Sequence, residues 1–224
     1  MQNEGIPLLS SKQEYTYSKL KEMIISNELR PGALLVERNL GKILNVSRTP
    51  IRTALTQLVN EGFVLFAPGQ GMAVAPIYSK DIQETYTLRE VLDVLAIKLF
   101  MENATKAMKL DIEDTVEAME KAYAEHDYEG VAKADKNFHH IYSSNTGNKR
   151  LETMLGTLRD QANRMLFYAK MDDLRIQCSI KEHREIMEAV KDHDVTKAQD
   201  AMYHHMLGLK EYHLKNTQTS VMGY

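Results

Sequence analysis

The stretch Asn45-Val46-Ser47-Arg48-Thr49-Pro50-Ile51-Arg52-Thr53-Ala54-Leu55 constrains this chain more than any other. Ser47 is a capping residue type, able to accept a hydrogen bond from a backbone N–H left without a partner in a first helical turn. Pro50 falls in that turn, where its missing donor costs little. Ile51, Ala54, Leu55 and Leu58 then recur at i, i+3, i+4 and i+7, a single stripe to be buried. The other face carries Arg48, Thr49, Arg52, Thr53, Thr56 and Gln57. All of these can hydrogen-bond phosphates or base edges, and none is acidic. Taken alone, the stretch reads either as an amphipathic surface helix or as the recognition helix of a DNA reader.

Its neighbours favour the second reading. From Gln13, Tyr17, Leu20 and Ile24 keep helical spacing until Asn27, ahead of the turn signal Leu29-Arg30-Pro31-Gly32. Val36 to Leu44 is a short second helix, and a brief turn through Asn45 leads into the third, which makes a helix-turn-helix. Two apolar runs, Phe63-Val64-Leu65-Phe66 and Met72-Ala73-Val74-Ala75, flank Pro68-Gly69-Gln70-Gly71. They predict a β-hairpin, placed as a wing.

Bulk properties narrow the classes. The net charge of −3 argues against indiscriminate nucleic-acid binding, yet residues 1–76 carry 8 Lys/Arg against 6 Asp/Glu while the remainder carries 20 against 25. Cys178 is the only cysteine, so no intrachain disulfide can form. No apolar run reaches membrane-spanning length, and the N-terminus lacks a secretory pattern. A cytoplasmic protein is expected.

From Ser79 the pattern becomes purely helical. Six helices are expected, at about 79–104, 108–126, 129–145, 148–170, 173–192 and 194–215, punctuated by Asn103, Asp127, Gly130, Asn145-Thr146-Gly147-Asn148, Asp172-Asp173 and Asp192-His193-Asp194. The expected fold is mainly α: a winged helix-turn-helix at 12–77 and an antiparallel helical bundle at 78–216, with a flexible lead-in at 1–11 and a tail at 217–224. Four titratable residues break the amphipathic rule. Asp135 and His139 share a face with Val131, Phe138 and Tyr142; His183 lies among Ile180, Ile186, Met187 and Val190; His205 lies among Ala198, Met202 and Leu209. Unpartnered, such groups are costly to bury. A divalent metal would satisfy all four together, and three imidazoles with one carboxylate suit Zn²⁺, Ni²⁺, Mn²⁺ or Fe²⁺. The plainer alternative is a set of hydrogen-bonded core histidines. His126, His193 and His213 are assigned to that class or to solvent. His140 and His204 point about 100° away from their candidate neighbours.

Leu29-Arg30-Pro31-Gly32, the Ser47–Leu55 block, Leu58-Val59-Asn60-Glu61-Gly62 and Gly71-Met72-Ala73-Val74 together resemble the GntR family of bacterial winged-helix regulators, in order and spacing. The resemblance implies DNA contacts from Arg38, Ser47, Arg48, Thr49 and Arg52, with Gly71 at the wing tip. Arg52 or Arg48 is expected to read a base, and Arg38 to hold the backbone. A basic residue often precedes the second wing glycine in that family; here it is Gln70, which cannot make a charged phosphate contact. Asp135-Lys136-Asn137-Phe138-His139, Glu182-His183-Arg184-Glu185-Ile186 and Ala201-Met202-Tyr203-His204-His205 look like the signatures of the FCD effector domain. In metal-binding members the positions of Asp135, His139, His183 and His205 are the ligands. Six effector helices look closer to the VanR-like than the FadR-like subgroup.

A small carboxylate could complete open metal positions. Arg89, near an expected inner stripe of Leu88, Leu92, Leu95 and Leu99, and Arg159, next to Leu158, are the candidate counterparts for it. The expected function is a ligand-responsive regulator, usually a repressor in this family, binding a palindromic operator as a homodimer. The alternative is a metal-dependent hydrolase or oxygenase on a helical bundle. Against it, no further carboxylate or histidine is placed as a general base, and the DNA reader would be left without a role. A third possibility is a regulator whose site is purely structural.

Overall fold

The computed structural model describes residues 11–169 and 171–217. The expected lead-in and tail therefore lie outside the described residues, except Ser11 and Thr217, which end the first and last helices. Contacts divide the chain into two units between Tyr78 and Ser79.

The first unit contains α1 (Ser11–Ile25), α2 (Glu37–Leu44), α3 (Arg48–Asn60), β1 (Val64–Ala67) and β2 (Gly71–Val74). Its core is the stripe read from the sequence. Ile51, Ala54, Leu55 and Leu58 of α3 are buried against Leu20 and Ile24 of α1, Leu40 of α2, and Phe63, Val64 and Val74. Just beyond α1, and at the C-cap of α2, sit Asn27 (φ 61°) and Asn45 (φ 53°), left-handed positions that asparagine tolerates better than most residues. The α2–α3 turn is tight. A Cβ on Gly41 would come within 2.9 Å of the Val46 carbonyl, so only glycine fits that turn without a shift.

Ser47 is the N-cap of α3 with extended backbone, but its hydroxyl makes no cap hydrogen bond. One of the two usual donors is missing three residues on. A capping oxygen takes the N–H of the second or third helical residue, and here the third is Pro50, which has none. The β strands pair antiparallel with Val64 opposite Val74 and Phe66 opposite Met72. The Ala67–Gln70 turn is closed by the Gln70 N–H on the Ala67 carbonyl at 3.0 Å. Pro68 and Gly69 (φ 73°) occupy its second and third positions, as a type II turn requires. Leu34 bridges to Ala73 and extends the ladder by one short step.

The second unit holds, among the described residues, α4 (Ser79–Asn103), α5 (Lys106–Ala124), α6 (Tyr128–Ser144), α7 (Lys149–Ala169), α8 (Asp173–Lys191) and α9 (Val195–Thr217). Five of these helices start on side-chain caps, α7 and α9 on Asn148 and Asp194, which accept from the backbone N–H groups of Leu151 and Lys197. Thr105, Asp127 and Asp172 accept from the backbone N–H groups of Met108, Gly130 and Arg175. α4 packs along α9, α5 along α6, and α8 along α9. This places the inner faces of α6, α8 and α9 around one point.

One sequence expectation is reversed in α4. Its inner face is not the leucine stripe but Ile82, Tyr86, Arg89, Asp93, Ile97 and Phe100, all buried. Leu88 and Leu95 are 51% and 38% exposed, while Leu92 and Leu99 are half-buried. Periodicity favoured the leucines because it ranks side chains singly. Arg89 and Asp93, four residues apart, enter the core as a pair that neutralises itself.

Candidate functional site

The first site is the outer face of α2 and α3. Arg38, Ser47, Arg48, Thr49, Arg52, Gln70 and Gly71 are all exposed. Arg48, Thr49 and Arg52 line a shallow groove along α3 with Thr53, Thr56 and Gln57. Arg38, Ser47 and Arg48 line an adjoining depression with Lys42 and Asn45. Gln70 and Gly71 sit apart from both, at the hairpin turn. Arg52 donates from Nε and Nη2 to the two carboxylate oxygens of Glu37, at 2.9 and 3.1 Å. Hydrogen bonding by Arg52, the largest influence on Glu37, holds that carboxyl below its ordinary pKa.

The second site lies inside the helical unit. His139 of α6, His183 of α8 and His205 of α9 are buried, and each offers a nitrogen within 4.8 Å of the others. The Nε2 atom of His139 is 3.3 Å from that of His183 and 3.4 Å from that of His205. The hydrogen bonds on the other ring nitrogens decide what meets there. His183 Nδ1 lies 2.6 Å from the Ser179 carbonyl, which can only accept. His205 Nδ1 lies 2.7 Å from Glu182 Oε2. His139 Nδ1 lies 2.8 Å from the Tyr142 hydroxyl oxygen, whose own proton goes to Asp93 Oδ1. Each Nδ1 therefore carries its proton outward, and three bare Nε2 lone pairs converge. Lone pairs so close repel unless a cation lies between them. A metal bound at about 2.1 Å per nitrogen would hold tetrahedral ligands about 3.4 Å apart, so the residues present fit one.

Asp135 adds a carboxylate to the cluster. Its Oδ1 is 3.3 Å from His183 Nε2 and 3.9 Å from His139 Nε2. Loss of hydration pushes its pKa up, although 41% of the side-chain surface remains accessible. Burial, reinforced by the neighbouring imidazoles, holds His139 and His183 well below the usual histidine range, so both stay neutral and ready to ligate.

Around the cluster lies a ring of polar residues that periodicity did not single out. Arg175 forks onto Glu182 through Nη1 and Nη2, both at 2.7 Å. Burial works against the Glu182 charge, but hydrogen bonds from His205 and Arg175 prevail and hold its pKa at about 2. Gly208 of α9 leaves room for that fork; a Cβ there would lie 3.2 Å from Glu182 Oε1. Arg89 Nε donates to Asp93 Oδ2 at 3.0 Å. Burial opposes the Arg89 cation, and the adjacent Asp93 carboxylate more than restores it, raising its pKa. Arg159 stacks over the Tyr142 ring at 5.6 Å, and its Nε and Nη2 are buried without a hydrogen-bond partner among the described residues. Glu182 was detectable as the acid beside His183 in the Glu182-His183 signature, and Arg89 with Asp93 as an i,i+4 pair. Arg175 lies seven residues before Glu182 on the same face of α8, a helical spacing that was the one local sign of the pair.

The histidines outside the cluster divide as expected. His126 and His193 occupy left-handed positions just after α5 and α8 (φ 57° and 59°). His140 and His204 are exposed, and His213 is buried against Tyr86.

Residues 12–74 match the family described as bacterial regulatory proteins, gntR family, and residues 84–208 match the FCD domain. The uncharacterized HTH-type transcriptional regulator YdhC of Bacillus subtilis is 30% identical over 195 residues, covering 85% of this chain and 84% of that protein. Among solved structures, McbR/YncC of Escherichia coli superposes with a TM-score of 0.76 at 23% identity, covering 89% of this chain and 95% of that one. A GntR regulator from Rhodococcus sp. RHA1 gives the same score at 21% identity, with 92% and 99% covered. The two matched regions fall on the two units just described, and the relatives are regulators rather than enzymes. The chain belongs to the GntR family of DNA-binding transcription regulators, with an FCD domain behind its winged helix-turn-helix.

Proposed function

We propose that this regulator is a homodimeric repressor that senses a small carboxylate through a divalent metal in its helical domain. In this reading residues 12–77 read a palindromic operator, residues 78–216 sense and dimerise, and the protein works in the cytoplasm. The observation that carries it is the convergence of three Nε2 lone pairs, each bared by a fixed hydrogen bond on its own Nδ1. His139, His183, His205 and Asp135 are the ligands. The metal, Zn²⁺, Ni²⁺, Mn²⁺ or Fe²⁺, supplies a cation with positions left for an oxygen donor.

The carboxylate approaches from the accessible side of Asp135, and Arg159 faces it. Buried guanidinium N–H groups without partners are costly, and an anion removes that cost. Arg89 acts at one remove. Its Nε is committed to Asp93, so it holds Asp93, which holds Tyr142, which holds His139. That sequence of contacts ends on α4, the helix that follows the wing in the chain. An acid that binds one arrangement of these helices better than the other shifts the population that can engage DNA.

Thermal melting with each metal, with and without a panel of small organic acids, tests this reading. One acid should raise the melting temperature only when metal is present, and the same acid should release the protein from its DNA in a gel shift. An acid that stabilises chelator-treated protein equally well would remove the metal from the sensing step.

A further inference from the structure

The line of α3 that points straight outward carries threonines rather than arginines. At about 100° per residue, the direction opposite the buried stripe of Ile51, Ala54, Leu55 and Leu58 is shared by Thr49, Thr53, Thr56 and Asn60, each within about 30° of it. Arg52 stands off toward α2, where it donates to Glu37. All four outward residues line the groove along α3. Thr49, Thr56 and Asn60 are exposed, and Thr53 is half-buried. Side chains this short let a recognition helix settle close to the base edges of the major groove.

The hydroxyls of Thr53 and Thr56 are already engaged. Thr53 Oγ1 donates to the Thr49 carbonyl at 3.2 Å, and Thr56 Oγ1 to the Arg52 carbonyl at 2.9 Å. Each bond runs back one turn along the helix and holds χ1. Thr49 has no such bond to make, because Asn45, four residues earlier, lies outside the helix. With its proton committed to the backbone, each of the two hydroxyls is a poor reader of base acceptors, and the methyl is the group left to meet DNA. A threonine methyl has one apolar counterpart in the major groove, the C5-methyl of thymine, which no other base carries. The two residues are about 4.5 Å apart along the helix axis, against about 3.4 Å between base pairs, so they meet different pairs.

We propose that Thr53 and Thr56 are specificity-determining residues that read thymine by methyl–methyl contact, so that the DNA target presents thymines beneath the middle of α3. The family's DNA-binding role puts α3 against a groove; the choice of thymine comes from this chain's own threonines and their back-bonded hydroxyls. It does not depend on the metal, on an effector or on dimerisation.

The test uses the full chain and a duplex selected by the wild-type protein from a random pool. Each thymine is replaced in turn by deoxyuridine, which removes the C5-methyl and leaves the base pair and its hydrogen-bonding groups in place. At the thymines that are read, wild-type affinity should fall about fourfold each, as expected for one lost methyl contact. Thr53→Ser and Thr56→Ser remove the methyl and keep the hydroxyl. Each should bind the thymine duplex about fourfold more weakly and cease to respond to uracil at one position. Thr53→Val and Thr56→Val keep the methyl and should keep the uracil response. The dependence of affinity on salt should be the same for all, since no phosphate contact is touched. Melting curves verify folding. A selected duplex without thymine, or wild-type binding indifferent to uracil at every thymine, overturns the proposal with no variant needed. So does a uracil response that survives unchanged in both serine variants, or one lost in the valine variants, which assigns the reading to the hydroxyl.

Discussion

Single residues act here through what fixes them. A histidine is a usable ligand only when the correct nitrogen is bare, and in each member of the triad a different kind of acceptor settles that: a backbone carbonyl, a tyrosine oxygen and a carboxylate. Glu182 has the heaviest load, accepting from Arg175 twice and from His205 once. Glu182→Gln would turn an amide N–H₂ toward one of those donors, so it cannot satisfy all three. Because such outer partners fix ring orientation and raise basicity, the substitution should weaken metal binding by about 10–100-fold. A competition titration against a chromophoric chelator reads this directly. Glu185→Gln, on the exposed side of the same helix, should leave the affinity where it was, and equal effects from both would deny Glu182 its role.

Among the elements, α4 differs most from its sequence pattern. Its inner face carries the Arg89–Asp93 pair and Tyr86, and its outer face carries Leu88, Val91 and Leu95 at 51%, 65% and 38% exposure. The spacing of three and four residues puts these three side chains on one line, as in a helix seam that meets a second helix. This supports the homodimer proposed above, since a two-fold axis beside α4 would bury the stripe against its own copy. Val91→Glu should shift the protein from dimer to monomer in sedimentation at micromolar concentration. It should also weaken a duplex with two half-sites by at least about tenfold while sparing a single half-site, because only the former gains from linkage. A monomeric wild-type protein in the same experiment would leave the stripe without this role.

At the scale of the whole molecule, the polar interior of the helical unit makes its stability depend on pH. His213 gives the clearest case. Burial, with Arg89 and Arg175 adding to it, depresses its pKa to about 4. It contacts Tyr86, and its Nδ1 has no hydrogen-bond partner among the described residues. Below its ordinary pKa the unfolded chain takes up a proton that the folded chain refuses, so the unfolded state gains. The stabilising contribution is complete above about pH 6.5 and falls away toward pH 4. Between pH 7 and pH 5 the wild type should lose about 2 kcal/mol more unfolding free energy than His213→Gln, measured by urea denaturation. Parallel pH profiles for the two proteins would contradict it. How much of this molecule could be read in advance follows the same division. The α3 stripe, the hairpin and the six bundle helices were legible because burial of one face leaves a local periodicity, and Asp135, His139, His183 and His205 stood out as violations of it. The leucines of α4 were misplaced and Ser47 was credited with a cap, because pairing with Asp93 and the missing N–H of Pro50 are relations between residues. The sequence by itself determined the elements, their order, the basic face of α3 and the identity of the clustered histidines, all of which depend on neighbours along the chain. Only the tertiary structure decided which nitrogen each histidine presents, that Glu37 holds Arg52, and which face of α4 turns inward. Those outcomes depend on hydrogen bonds both near and far in sequence, four residues apart in Arg89–Asp93 and 23 apart in Glu182–His205, and each is chosen over water only once the helices have packed.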